Sequence, residues 1–378
     1  MHSLRMNSNT HFNNPFYKHF KINTMKKTFS IFALAATVLC SCNKEDDRVI
    51  PQIGQIEEAS AVLNVSLGFE DDHRTKAEAY VEAQDYEVAV NKVQIFVFDA
   101  DGQINMYKNA GTSTSDISIN TTTGQKNVWA VVNGPDLQEI LTEDELKAVA
   151  VDLGANSVNK ATGFVMAGYK ACDVTVAGAT AEVTVSRLVA RVALDKVTNS
   201  LPEGYGAIVI DNVTLINVVG NQNIAGTADA QTWYNKMGRK DGGAEGDIID
   251  GSANKASCES LTFKASGESV ANGAKLDPAV PYLFYSFPNS STSGATGWVN
   301  PFTARESRLI IAATIKGQKY YYPVTLKQQL ERNKAYTVDL TITGLGSSDP
   351  DMPVEKGAIT ASVTVKGWET GATYSETI

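Results

Sequence analysis

The chain has 378 residues, 43% of them hydrophobic and 20% charged, and a formal net charge of -9 at pH 7. That length suggests about two domains, and the apolar content is enough for a sizeable core. All 42 acidic residues lie at or after Glu45, and an acidic body without a basic stripe argues against nucleic acid or anionic membrane surfaces as partners.

Residues 1–24 are polar and have no place ahead of an export signal, so Met25 reads as the true start and 1–24 as a non-native upstream extension. From Met25 the chain runs MKKTFSIFALAATVLCSC: two lysines, then an apolar stretch from Phe29 to Leu39. This is the layout of a secretory signal, and the run is too short to span a bilayer as a helix. Leu39-Cys40-Ser41-Cys42 resembles the bacterial lipobox, which assigns 25–41 to a signal peptide and Cys42 to a lipidated, palmitate-bearing amino terminus. Lys44-Glu45-Asp46-Asp47 follows, either as a signal for the outer cell surface or as a solvated linker.

The stretch Ala61–Phe69 alternates Leu63, Val65, Leu67 and Phe69 with Asn64, Ser66 and Gly68, the period of a half-buried strand. A charged loop, Glu70–His73, leads to Arg74-Thr75, with Lys76 close by. Two readings stand: a strand that is built in and later cut off, or an ordinary edge strand with a polar turn. Next, Val88–Phe98 reads as a strand, and Asp99-Ala100-Asp101-Gly102 as a hairpin turn rather than a calcium loop. Val128–Val132 is a further strand. Pro135–Leu153 is the one helical region, with a capping box at Thr142–Glu145. Val174–Ala177, Ala181–Val185 and Leu188–Val197 close a first half.

Leu201-Pro202-Glu203-Gly204 reads as a domain boundary. Beyond it come a strand run, Ala207–Val219, and a Gly/Asn/Ser-rich stretch with an exposed loop at Gly238–Gly246. Strands follow at Pro281–Phe287, Leu309–Ile315, Tyr320–Leu326 and Ala335–Ile342. Leu345–Glu355 is a polar linker, and Ile359–Lys366 a final strand before Gly367-Trp368. The expected fold is mainly β, two sandwich domains in tandem at 75–200 and 201–344. The propeptide 42–74 carries the first strand, and 345–378 is a linker and tail.

Catalytic chemistry is sparse. The histidines are His2, His11, His19 and His73, so nothing beyond Arg74 contains one. That removes histidine-based triads and metal sites from the body of the chain. No phosphate-binding loop, dinucleotide fingerprint or nucleophile elbow occurs. We expect no enzyme, no metal and no cofactor. Cys172 and Cys258 read as buried thiols with little tendency to pair.

Three segments resemble the fimbrillins, the subunits of type V pili. They are Ser186-Arg187-Leu188-Val189-Ala190-Arg191-Val192, then Glu331-Arg332-Asn333-Lys334-Ala335-Tyr336-Thr337-Val338, then Pro350-Asp351 through Val363-Thr364-Val365 to Trp368. In the second, Arg332, Asn333 and Tyr336 carry the signature; the same residues also suit a plain β-turn. The resemblance implies a lipoprotein precursor of two transthyretin-like sandwiches at the outer membrane. It implies cutting by an Arg-directed surface protease, and polymerisation into an extracellular fimbrium for adhesion and colonisation. Partners would be other copies of the chain and minor subunits. The loop offers Arg74-Thr75 for the cut; Arg48 would leave the first strand attached. The removed strand would be Leu63, Val65, Leu67 and Phe69. The replacement would be the alternating row Ile359, Ala361, Val363 and Val365, leading to Trp368. The competing class is a surface glycan-binding lipoprotein using Trp233, Tyr234 and Trp298, or a tip or anchor adhesin.

Overall fold

Alternating apolar residues set up most of the elements, and long-range pairing decides where each one lies. The computed structural model describes residues 58–69, 84–154, 158–159, 162–236, 262–278, 281–296, 302–327, 329–355 and 357–367. These fall within one compact unit, Ile56–Ile378. Cys42, Arg48, Arg74, Thr75, Lys76, Cys258, Trp298 and Trp368 lie outside the described residues.

The first half contains β1 (Ser60–Phe69), the one-turn α1 (Asp85–Val88), β2 (Val93–Asp99), β3 (Ile104–Gly111), β4 (Ile117–Thr122) and β5 (Gly124–Val132). It continues with α2 (Glu143–Ala148), β6 (Ala150–Asp152), β7 (Val158–Asn159), β8 (Gly163–Phe164), β9 (Met166–Val174) and β10 (Ala179–Arg187). The strand order is β3-β2-β5-β9-β10-β1-β4. β10 meets β9 only at Ser186 and Arg187 and spends its remaining length on β1. The sheet therefore folds over at that corner. Leu63, Val65, Ile95, Ile119, Val128, Ala130 and Val183 fill the space between the two layers. At the β9–β10 approach a side chain on Gly168 would come within 1.9 Å of the Thr184 carbonyl, so only glycine fits there.

The second half contains β11 (Ala190–Asn199), β12 (Ile208–Ile216), β13 (Val218–Val219), β14 (Asn221–Asn223), β15 (Trp233–Tyr234), β16 (Phe263–Val270) and β17 (Lys275–Leu276). β18 (Tyr282–Ser286), β19 (Arg308–Ile315), β20 (Gln318–Thr325), β21 (Lys334–Ile342) and β22 (Ile359–Gly367) complete it. One layer is β17-β11-β21-β22 with β18 on β11; the other is β16-β12-β19-β20. The mainly β, sandwich-like expectation holds.

Four local expectations change. Val88–Phe98 is not one strand: Glu87 is drawn into the core and closes a helical turn, and β2 starts only at Val93. The helix within Pro135–Leu153 is confined to Glu143–Ala148, where the Thr142 hydroxyl accepts from Glu145 N–H and the Glu145 carboxylate accepts from Thr142 N–H. Val151 instead joins β6, paired with β14. Thr175–Gly178 is a turn, with Val176 exposed at its tip. Finally, residues 190–199, placed in the first domain at 75–200, belong to the second half. β11 lies parallel to β21 and antiparallel to β18, so the sheets change hands near Leu188 rather than at Leu201.

β2 is buried on both faces. Its inner row faces β1, while Phe96 and Phe98 face the cover made by Leu137, Leu146, Val151 and Leu153. That outer cluster runs on without a break into the second sandwich, through Phe164, Leu188 and Val192 to Leu340 and Ile359.

Candidate strand-exchange site

β1 is an internal strand, not an edge. It runs parallel to β10, from Leu63 opposite Ala179 to Phe69 opposite Val185, and antiparallel to β4, from Ser60 opposite Thr122 to Val65 opposite Ile117. Leu63 and Val65 are fully buried, and Leu67 and Phe69 are half-buried against the same core. Further bonds fix its ends: Leu67 N–H donates to Thr114 C=O at 2.7 Å and Thr123 N–H donates to Ala59 C=O at 2.8 Å. The left-handed Gly178 (φ +89°) lets the β9–β10 turn pass close to the Val62 carbonyl. Just before β1, Glu58 reaches Thr122 and lies 3.6 Å from the buried Lys126, which pairs with Asp99 at 2.5 Å. β1 is thus held mainly by backbone pairing and one apolar row. Without it, seven residues of β10 and six of β4 would lose their ladder partners, an outcome costly for buried backbone groups.

Gln84, at the head of α1, is locked down. Gln84 N–H donates to Glu87 Oε2, which also receives Arg191 at 2.8 Å. Tyr285 donates to Glu87 Oε1 at 2.6 Å, and Arg187 Nε to the Glu87 carbonyl at 2.7 Å. Arg187 also donates to Asn333 Oδ1 at 3.1 Å. Glu87, Arg187, Arg191, Tyr285 and Asn333 are all buried. Burial, and then the adjacent Glu87 carboxylate, push the Tyr285 phenol far above its ordinary range, so it stays a donor. Sequence reasoning missed this cluster as a unit. Its one signal was the pair Arg187 and Arg191, four residues apart in otherwise apolar sequence.

Arg332, Asn333 and Tyr336 turn out to be joint residues. Arg332 donates to the carbonyls of Ala167 and Ser186, on β9 and β10. Asn333, at φ +57°, donates its N–H to Val189 C=O. Tyr336 Oη donates to Gln329 C=O at 2.6 Å and accepts from Glu331 N–H. The turn reading and the signature reading describe the same geometry: the turn between β20 and β21 clips the second sandwich to the first.

Ile359, Ala361 and Val363 are buried in the second sandwich, with Val365 half-buried beside them. β22 pairs antiparallel with β21 over Ile359–Gly367 and has no second neighbour among the described strands. It is therefore an edge strand, packed on its own sheet. β1 and β22 of one chain lie in different sandwiches and do not pair. The segment leading into β22 is fastened by Arg308, which sits 3.1 Å from Asp351 and donates to Gly294 C=O at 2.8 Å. Burial, despite Asp351, holds the Arg308 pKa below its ordinary value. Among the described residues no group of three or more His, Cys, Asp or Glu could hold a metal. Cys172 is free but only half-buried on β9, not the fully buried thiol expected from the sequence.

Comparison with known proteins supports the resemblance drawn from the sequence. Residues 61–203 match the family described as "Major fimbrial subunit protein (FimA)". The chain is 22% identical over 400 residues to the major fimbrium subunit FimA type-2 of Porphyromonas gingivalis, covering 91% of this chain and 98% of that protein. Its fold is similar to a crystal structure of a fimbrilin from Porphyromonas gingivalis: TM-score 0.53, 16% identity, 82% of this chain and 99% of that one. It is also similar to a candidate cell adhesion protein from Bacteroides eggerthii: TM-score 0.56, 19% identity, 82% of this chain and 96% of that one.

Proposed function

From the premise that this chain resembles the fimbrillins and that its first half matches the major fimbrial subunit family, we propose that it is a structural pilin subunit of a cell-surface fimbrium. In this reading it is exported as a lipoprotein through Cys42 and cut after Arg74. It then polymerises when β22 of one copy, or the tail following it, takes the place of β1 in the next. The observation that carries the reading is β1 itself. It is an internal strand with a buried apolar row, and a charged loop that contains Arg74 follows it in sequence. Apart from that loop, it is joined to the sandwich by non-covalent contacts alone.

Physical matching supports the exchange. Fully burying an aliphatic side chain is worth roughly 1.5–3 kcal/mol. The rows Leu63-Val65-Leu67-Phe69 and Ile359-Ala361-Val363-Val365 share the same spacing. Strand replacement would restore both ladders and much of the apolar contact, and dilution of the released strand would drive it forward.

The test is polymerisation of purified precursor, read as boiling-resistant ladders on a gel after treatment with an Arg-directed protease. Wild type should form ladders only after cutting, and Arg74→Ala should stay monomeric. A synthetic peptide of residues 60–69 in excess should suppress the ladders by reoccupying the slot. Ladders from uncut wild type would remove Arg74 as the switch. Cys42→Ala tests the export step: it should no longer incorporate labelled fatty acid, and normal surface filaments from it would rule lipidation out.

A further inference from the structure

Away from β1 and β22, the second half carries a cleft of about 630 Å³, a size suited to a small ligand. One wall is the loop between β14 and β15, the other the segments 288–291 and 329–332. The loop is rigidly built. Asn221 Oδ1 accepts from Gln231 N–H at 2.8 Å and Thr232 N–H at 2.6 Å, and Asn223 Oδ1 accepts from Thr227 N–H at 2.8 Å.

Two residues give the cleft its chemistry. β15 is two residues long and its side chains point opposite ways. Tyr234 packs on Gly220 and donates to Asp152 at 2.9 Å. Trp233 turns toward the cleft, half-buried, with Phe302 at 5.5 Å on its other contact. Gln222, only 5% exposed, also lines the cleft. Its Oε1 accepts from the N–H groups of Asn223 (2.9 Å) and Ala228 (2.8 Å). Those bonds fix the amide and leave its Nε2 donor with no hydrogen-bond partner among the described residues. That donor is not sealed from solvent, so a ligand in the cleft can accept from it. At the rim stand the exposed carboxylates of Asp229 and Glu331.

We propose that this cleft binds a neutral carbohydrate. A sugar ring presents one apolar face and a rim of hydroxyls. The apolar face stacks on Trp233, one hydroxyl oxygen accepts from Gln222 Nε2, and hydroxyl protons go to Asp229 and Glu331. The two carboxylates disfavour anionic sugars. Arg332 is committed to the carbonyls of Ala167 and Ser186. Of the three aromatic residues named from the sequence for sugar stacking, the geometry puts Trp233 on the cleft, turns Tyr234 away from it toward Asp152, and leaves Trp298 outside the described residues. This site needs neither cleavage nor polymerisation.

The test uses the full-length purified protein with maltohexaose, mannopentaose and lacto-N-tetraose as probes, followed by saturation-transfer NMR and tryptophan fluorescence. At least one probe should bind saturably in the micromolar to millimolar range. Gln222→Glu keeps both acceptor bonds that hold the loop and removes the free donor. It should weaken that probe at least about tenfold, equivalent to about 1.4 kcal/mol, measured at a temperature where circular dichroism shows the variant fully folded. Trp233→Ala should abolish binding. The proposal fails if no probe gives a saturable signal up to millimolar concentration, or if the signal survives both variants unchanged.

Discussion

Glu87 shows how much one carboxylate can organise. It lies fully buried between Arg191 and Tyr285, while its carbonyl holds Arg187. Removing one partner of a buried ion pair strands the other, at a cost of roughly 3–5 kcal/mol. Arg191→Ala should therefore lower the melting temperature far more than an exposed control such as Lys108→Ala, measured by scanning calorimetry. Glu143 makes a different prediction. Burial alone would raise its pKa, but hydrogen bonds from Lys147, Trp129 and Asn127 outweigh burial and hold it below the ordinary 4.5. A carboxylate depressed in the folded state contributes stability above its unfolded pKa and loses it as pH falls through the folded value. Glu143→Gln should flatten the loss of stability below about pH 4.5, as followed by urea unfolding at a series of pH values. A curve parallel to wild type would show that Glu143 plays no part in acid sensitivity. Neither role was readable in sequence. Glu87 meets partners 104 and 198 positions away, and no local pattern announces that.

Among the elements, the two strands of the exchange reading were legible because alternation is local. Leu63–Phe69 and Ile359–Val365 occupy strands as their period required. Capping at Thr142 was legible for the same reason. The parallel pairing of β1 with β10 was not, since register across 116 residues leaves no local trace. β1 also makes a graded prediction. Leu63→Ala, at a site with no exposure, should cost about 2–5 kcal/mol through lost transfer energy and a cavity. In uncut precursor the loss appears as a lower denaturant midpoint. In cut protein the same change should speed release of β1, and ladders should appear sooner. Slower ladders would show that departure of β1 does not limit assembly. At the other end, Asp351→Asn weakens the clasp on Arg308 ahead of β22. It should raise proteolytic sensitivity around 345–355 without changing the protection of β21, measured by timed digestion and mass spectrometry.

For the whole molecule, the boundary expected at Leu201–Gly204 predicted two independent cooperative units. The packing argues for one. A single apolar cluster passes from Phe96 and Trp129 to Val338 and Ile342, and Arg187, Arg332 and Asn333 tie the two sandwiches with buried and part-buried hydrogen bonds. Uncut protein should unfold in a single calorimetric transition whose van't Hoff and calorimetric enthalpies agree. Two resolved transitions would restore the independent-domain layout. Composition and turn residues alone could not decide this, because Pro202 and Gly204 mark a short 3-10 turn and are silent on what packs across it.

The slot filled by β1 belongs to the first sandwich and the candidate replacement, β22, to the second. On the exchange reading each copy therefore offers one unlike face to each neighbour. Contacts of that kind are heterologous, so no two-fold pair satisfies them and the series need not close. Because β1 runs parallel to β10, a replacement strand that keeps this orientation enters in one direction only. The assembly then has two chemically different ends. One terminal copy carries a slot with no strand behind it, and the other a strand with no slot ahead. Growth, capping and anchoring become separable events at opposite ends of one fibre.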